Sequence, residues 1–389
     1  LTDLFFRWVP RRHFADSGFK AGVNLIGYAH AEMGLGEALR NTAMALEDVK
    51  IPFLVRKLDV SLLNRQQNRS MDSYVADYCS YGINLIGVNP DLLYHMPLWL
   101  GYGEWARRYN IGYWFWELAN FPKEWRYASH IVDEVWVNTD FVAKAVGQSV
   151  SKVIKVPFAV AFELPEARFN RQYFKLQENG FVFLFSYDFN SSAARKNPQA
   201  VLDAFRQAFP DKNTPVCLVV KSMNGEQNPG ALAKLKDSLR DDARITFVDS
   251  YLTTDEMRGL LNTADVYVSL HRAEGLGLGM AESMYLGKPV IGTAYSGNME
   301  FMNGQNACLV PYSLVPVAPG AYPYYEGQVW AEPDVTIAAA WMVRLVNEPD
   351  LRSEIGRCAA SYMRQHHSRA VMAQALSRRL EEIRSERTH

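Results

Sequence analysis

The chain lacks paired cysteines. Its four cysteines, Cys79, Cys217, Cys308 and Cys358, are scattered with no CxxC, and Cys217 falls in an apolar strand pattern. That usage fits reduced thiols in a cytoplasmic protein, not a disulfide scaffold. An excess of one charge is also missing. The 389 residues carry 41 Lys and Arg against 42 Asp and Glu, for a net charge of −1. Nothing therefore draws the chain in bulk to nucleic acid or to acidic membranes. No apolar run is long enough to span a membrane. The uncharged stretch Cys308 to Tyr325 is broken by prolines and by Gly320. No signal-peptide pattern opens the chain. It begins at Leu1, which fits a fragment of a longer protein. There is no Asp-x-Asp pair and no His/Cys cluster, so no metal is expected. A Walker loop and a Gly-x-Ser-x-Gly elbow are absent as well.

What remains is an aromatic-rich chain long enough for two domains. Residues 1–20 mix Phe5, Phe6 and Trp8 with Arg7, Arg11 and Arg12. They read as an arm packed on the fold or a linker, with contact at a membrane interface as the alternative. Apolar runs then predict strands at Val23–Ala29, Pro52–Val55, Ile83–Val88, Ile111–Trp116, Glu134–Asn138 and Val153–Val156. Helical or loop segments separate them, the order of a parallel α/β sheet. A second series follows at Phe181–Ser186, Val216–Val220, Ile245–Val248 and Asp265–Leu270. The irregular, polar stretch Pro157 to Leu176 reads as the hinge between them. The divisions expected are 1–20 (arm or linker), 21–165, 166–365 and a closing helix at 366–389, with Met372, Leu376, Leu380 and Ile383 on one face.

Glycine loops follow strands at two places. After Val23–Ala29 comes His30, then Gly34 and Gly36 ahead of a helical pattern. The third glycine of the dinucleotide fingerprint is missing, so this is a strand, a turn and a helix with a ligand expected near the strand ends. The second loop runs from His271 to Gly279, with Glu274 inside it, and leads to a short helix from Ala281 to Leu286 stopped by Gly287. Glu274 and Glu282 are separated by seven residues, which places Glu282 in the first helical turn. Acids beside a helix N-terminus repel a phosphate bound there, so they are better suited to accept hydrogen bonds from sugar hydroxyls.

The run Glu274-x7-Glu282, then Gly287-x-Pro289-Val290-Ile291-Gly292-Thr293 and Ser296-Gly297-Asn298-Met299-Glu300, resembles the donor-site signature of retaining family-four glycosyltransferases, which are mannosyltransferase-like in habit. The resemblance implies the GT-B fold: two Rossmann-like α/β domains facing a cleft, the first on the acceptor side and the second holding the nucleotide sugar. The C-terminal helix would cross back to the first domain. It implies that Glu274, with the amides of Gly275, Leu276, Gly277 and Leu278, contacts the donor sugar, and that Glu282 holds the ribose. Lys196 matches the family lysine that grips the diphosphate. The family's Gly-Arg pair is absent, with Tyr187-Asp188 in its place. Arg195 or Lys221 is then the source of the missing charge. Gly34 and Gly36 would face the donor diphosphate. His30 and Glu117 are acceptor-side candidates, Glu117 standing where the family often carries a histidine.

The reaction implied is transfer of a hexose from a nucleotide diphosphate sugar to a hydroxyl of a polysaccharide or lipid-linked oligosaccharide, with anomeric configuration retained. GDP-mannose is the first donor expected by family habit, and UDP- or dTDP-sugars follow. No cofactor beyond the donor is needed. The partners expected are that donor and a glycan acceptor, without nucleic acid, in the cytoplasm or peripherally at the inner face of a membrane. Two alternatives stay open: a GT-B sugar-phosphate enzyme such as a phosphorylase or epimerase, and a non-catalytic sugar-binding module. Glu274→Gln is expected to leave the fold intact, as an isosteric change at a cleft surface.

Overall fold

A computed structural model describes residues 18–58 and 65–388. The expected N-terminal arm falls, up to residue 17, outside the described residues. The chain divides into two compact units. One holds the residues up to Trp116, Asn120–Ala159 and the segment from His367 on; the other holds Glu117–Ala119 and Val160–His366.

The first unit is built on six strands: β1 (Lys20–Gly27), β2 (Phe53–Lys57), β3 (Tyr81–Gly87), β4 (Tyr109–Tyr113), β5 (Glu134–Val137) and β6 (Val153–Lys155). They lie in the order β2-β1-β3-β4-β5-β6, every neighbour parallel. Parallel strands are covered on both faces, which is why they read as continuous apolar runs and not as alternation. Three asparagines interrupt the apolar sheet in register. Asn24 Nδ2 donates to Asn84 Oδ1 at 2.8 Å, and Asn84 Nδ2 to Asn110 Oδ1 at 2.9 Å. Each satisfies its neighbour, so the row avoids the cost of buried unpaired amides.

Strand β4 stops at Tyr113, short of the predicted Trp116. Asn89 Oδ1 accepts from the Phe115 backbone N–H at 3.0 Å and diverts it from the ladder. The tryptophans beyond pack as core: Trp114 stacks on Phe121 with centroids 5.8 Å apart, and Trp116 meets Trp125 edge-on at 5.0 Å.

The helix Arg369–Thr388 belongs to this unit. Met372, Leu376, Leu380 and Ile383 are each 1% exposed or less and join the core of β1, β3 and the Gly34–Asp48 helix. The spacing of these residues predicts the helix, and its return to the first unit is what the resemblance implies. Its Arg379 reaches the buried carboxylate of Glu134, with Nη2 to Oε2 at 2.6 Å and Nε to Oε1 at 3.1 Å.

The second unit has strands β7 (Phe181–Asp188), β8 (Val216–Met223), β9 (Ile245–Asp249), β10 (Val266–Ser269), β11 (Val290–Thr293) and β12 (Cys308–Val310). Their order is β12-β11-β10-β7-β8-β9, again all parallel. A hairpin, β13 (Tyr312–Pro316) with β14 (Val329–Pro333), follows. Local signals set the helices. Pro198 opens one at its first turn, and Thr253 with Glu256 forms a capping box on the helix that follows β9. No helix among the described residues is long and apolar enough to cross a membrane.

Candidate functional site

Strand β10 delivers the chain into the glycine loop at the carboxyl end of its sheet. The helix that follows spans Leu278–Tyr285, starting three residues earlier than predicted. Gly277 caps it at φ +93, in the left-handed region that glycine enters without a Cβ clash. The earlier start puts Glu282 at the helix's fifth position, in its second turn. The loop is tied from below. Glu274 N donates to Ser296 Oγ at 2.8 Å, and Gly297 N donates to Glu274 O at 2.8 Å. His271 is wholly buried, with Nε2 3.0 Å from Asn298 Oδ1, and its carbonyl accepts from Thr293 Oγ1 at 2.7 Å.

Glu274 is 6% exposed and lies between the two cations expected for the diphosphate. Arg195 Nη1 stands 3.0 Å from Glu274 Oε2, and Lys196 Nζ pairs with Oε1. Burial pushes this carboxyl's pKa up, but Lys196 and then Arg195 outweigh it and hold the group down at about 2. Arg195 is itself buried. It donates from Nη1 to Ala273 O at 2.7 Å and from Nε to Ser191 O at 3.2 Å. Burial opposes its charge, yet Glu274 and Glu117 raise its pKa above the ordinary arginine value. The two cations close a single helical turn, Ala193–Lys196, and Asn197 at φ 56 swings the chain into the next helix.

Glu282 pairs with Arg258, Oε1 to Nε at 3.9 Å. Tyr267 feels both glutamates. Its phenol bonds to Ser186 Oγ at 2.9 Å and is pushed up to about 12, by burial first and then with Glu274 and Glu282 adding.

Lys221 sits elsewhere on the same sheet end. Its ammonium donates to the carbonyls of Ser222 and Ser250, both at 2.7 Å, and burial brings its pKa down to about 8 against the pull of Asp249 and Asp188. Arg195, and not Lys221, is the cation that joins Lys196 at Glu274. In place of the missing Gly-Arg pair, Tyr187 is buried against Phe185. Asp188 accepts from Asn190 N at 2.9 Å and from Asn224 Nδ2 at 2.7 Å.

In the first unit, His30 is 6% exposed, with Nε2 2.7 Å from Asp72 Oδ1 and Nδ1 2.7 Å from Arg69 Nη1. Gly34 begins the Gly34–Asp48 helix. Gly36 has a packing reason: a Cβ there would lie 2.2 Å from Ala31 O. Glu117 leaves its strand and is counted with the second unit, where Oε2 accepts from Tyr322 Oη at 2.6 Å. Ser296, which ties down the loop, belongs to the run quoted with the glutamate pair, whereas Tyr322 was not expected. Nothing local in the sequence separates Tyr322 from Tyr324 and Tyr325 beside it.

Among the described residues no group of three or more His, Cys, Asp or Glu is arranged to hold a metal ion.

This arrangement is a glycine-loop helix N-terminus beside an ionised glutamate held by two cations, on a doubly wound parallel sheet. Residues 180–316 match the family model described as Glycosyl transferases group 1. The described residues have the GT-B fold. The chain is similar to HepE of Anabaena, solved with UDP and glucose, at 15% identity and a TM-score of 0.67, covering 93% of this chain and 100% of that one. It is similar to a glycosyltransferase of Rickettsia africae at 13% identity and TM-score 0.68, covering 94% and 99%. Sucrose-phosphate synthase of Thermosynechococcus elongatus gives 14% identity and TM-score 0.68, covering 94% and 100%. A sequence search among curated proteins finds no match.

Proposed function

We propose that the chain is a retaining, metal-independent glycosyltransferase that moves a hexose from a nucleotide diphosphate sugar to a hydroxyl of a glycan or lipid-linked glycan. The observation that carries this is Glu274, buried and paired with both Arg195 and Lys196 at the mouth of a helix. Held ionised, with its pKa near 2, Glu274 accepts hydrogen bonds and has no proton to give. Its chemistry is to hold sugar hydroxyls and to offset positive charge growing on the sugar, not to act as a general acid. Arg195, Lys196 and the amides at the helix start stabilise the departing diphosphate. As the bond from the anomeric carbon to the phosphate oxygen breaks, the acceptor oxygen bonds to that carbon on the same face. The acceptor's proton passes to the leaving phosphate oxygen, so no separate strong base is required. Glu282 holds the ribose.

The likeness to HepE, solved with UDP-glucose in a second complex, supports testing UDP-glucose beside GDP-mannose as donor. A non-catalytic sugar-binding module is the second reading, favoured by Tyr187-Asp188 in place of the Gly-Arg pair. Thermal-shift screening with GDP, UDP and dTDP finds the base, because a ligand that binds only the folded state raises apparent stability. Incubation with the matching nucleotide sugars, with and without inorganic phosphate and hydroxyl acceptors, then decides. Free nucleoside diphosphate and a glycosylated acceptor support transfer. Sugar 1-phosphate formed from inorganic phosphate points to a phosphorylase. Binding without turnover supports the module.

A further inference from the structure

The loop 317–328 joins the strands of the β13–β14 hairpin. Its base is closed by Val317 N donating to Gln328 O at 3.0 Å, and a turn within it by Ala321 N donating to Ala318 O at 3.0 Å. Two contacts fix what its tip does. Ser192 Oγ donates to Ala321 O at 2.9 Å, fastening the loop to the turn that carries Arg195 and Lys196. Tyr322 then places its ring 5.7 Å from the Arg195 guanidinium carbon and donates its hydroxyl to Glu117 Oε2 at 2.6 Å. Burial, with the charge of Glu117 next, raises the Tyr322 phenol well above its ordinary pKa. The hydroxyl therefore keeps its proton and remains a donor. Among the described residues, Glu117 Oε1 has no hydrogen-bond partner, and the carboxylate is only half-buried.

We propose that Tyr322 is a positioning residue for the acceptor. It holds one oxygen of Glu117 so that the other accepts a hydrogen bond from the incoming acceptor, beside the Arg195–Glu274 pair. This role rests on the glycosyl-transfer reading. With water as the smallest acceptor, one O–H donates to Glu117 while the other proton passes to the leaving phosphate oxygen. The new C–O bond forms at the anomeric carbon as its bond to phosphate breaks. With a sugar acceptor, a hydroxyl next to the attacking one takes the contact to Glu117. Without the Tyr322 hydroxyl, the Glu117 side chain can rotate, and the orientation that makes attack effectively intramolecular is lost.

The test uses the full chain and follows hydrolysis of UDP-glucose and of GDP-mannose by the parent, Tyr322→Phe, Glu117→Gln and the double variant. Both exchanges conserve shape, and thermal melting of the same samples checks that they fold. Tyr322→Phe should lower kcat about tenfold while leaving donor KM within about twofold. Because Tyr322 acts through Glu117, the double variant should be no slower than Glu117→Gln alone. A Tyr322→Phe protein with parental kcat overturns the role. So does a double variant slowed by the full product of the single effects, or a change confined to donor KM. A parent that turns over no UDP-, GDP- or dTDP-sugar, with or without a hydroxyl acceptor, refutes the transfer reading itself, and this role with it.

Discussion

Replacing Glu274 by glutamine keeps the side chain's size and removes its charge. At an exposed loop the exchange would be tolerated, but the carboxylate is 6% exposed and faces two cations. The magnitude follows from its titration. Holding the carboxyl at about 2 against an ordinary 4.5 corresponds to about 3 kcal/mol of folding free energy. That agrees with the roughly 3–5 kcal/mol cost of breaking a buried ion pair by removing one partner. Lys196, with 19% of its side chain exposed, can turn toward solvent, whereas Arg195 at 4% cannot, so the lower figure is the expectation. The sign is set by a depressed pKa. The stabilisation is fully present above about 4.5 and is lost as pH falls from there toward about 2. At pH 7 the variant's second unit should melt about 6–12 °C below the parent's. Toward pH 3 the gap should narrow, as the parent loses what the variant never had. Circular dichroism melts of both proteins across that range measure it. In steady state, well below the variant's melting point, kcat should fall about a hundredfold from loss of one transition-state partner. Equal melting at pH 7, or a gap that does not change down to pH 3, would refute the ion-pair reasoning. An unchanged kcat in folded variant protein would remove Glu274 from the chemistry.

Glu282→Gln should behave differently. Ribose contacts are equal in ground and transition states, so donor KM should rise with kcat kept, and an effect on kcat alone in steady-state kinetics would contradict the assignment. Turnover should survive excess EDTA, since Arg195 and Lys196 supply the charge; loss of activity restored by Mg²⁺ or Mn²⁺ would count against that. Arg379→Ala should destabilise the first unit by about 3–5 kcal/mol, because it leaves buried Glu134 without its main cation; urea titration with protection of the C-terminal helix followed by hydrogen exchange reads this directly.

The sheets could be read from the chain because parallel strands are covered on both faces and appear as apolar runs. The C-terminal helix was legible because Met372, Leu376, Leu380 and Ile383 recur at helical spacing. The Glu274–Glu282 spacing was legible for the same local reason. The partner of Glu274 was not, since Lys196 lies 78 residues away in sequence and no periodicity links them. Lys221 shows the limit from the other side. A lysine at a strand's carboxyl end looks ready for an anion, yet two backbone carbonyls accept its hydrogen bonds. The early end of β4 depended on one side chain, Asn89, that no strand propensity registers.

The return of the last helix to the first unit has a consequence for synthesis. The second unit is nearly contiguous in the chain, from Val160 to His366 apart from Glu117–Ala119, whereas the first is interrupted and finished by residues that follow the second. Glu134 lies 245 residues ahead of Arg379. At about 5–20 residues per second, the ribosome supplies that partner roughly 12–50 s after the carboxylate has been made. During that interval the groove destined for Met372, Leu376, Leu380 and Ile383 has no cover, and Glu134 has no arginine. The first unit is therefore completed only after the sheet of the second has been synthesised, and a fragment ending before Arg369 would carry a permanently unfinished core.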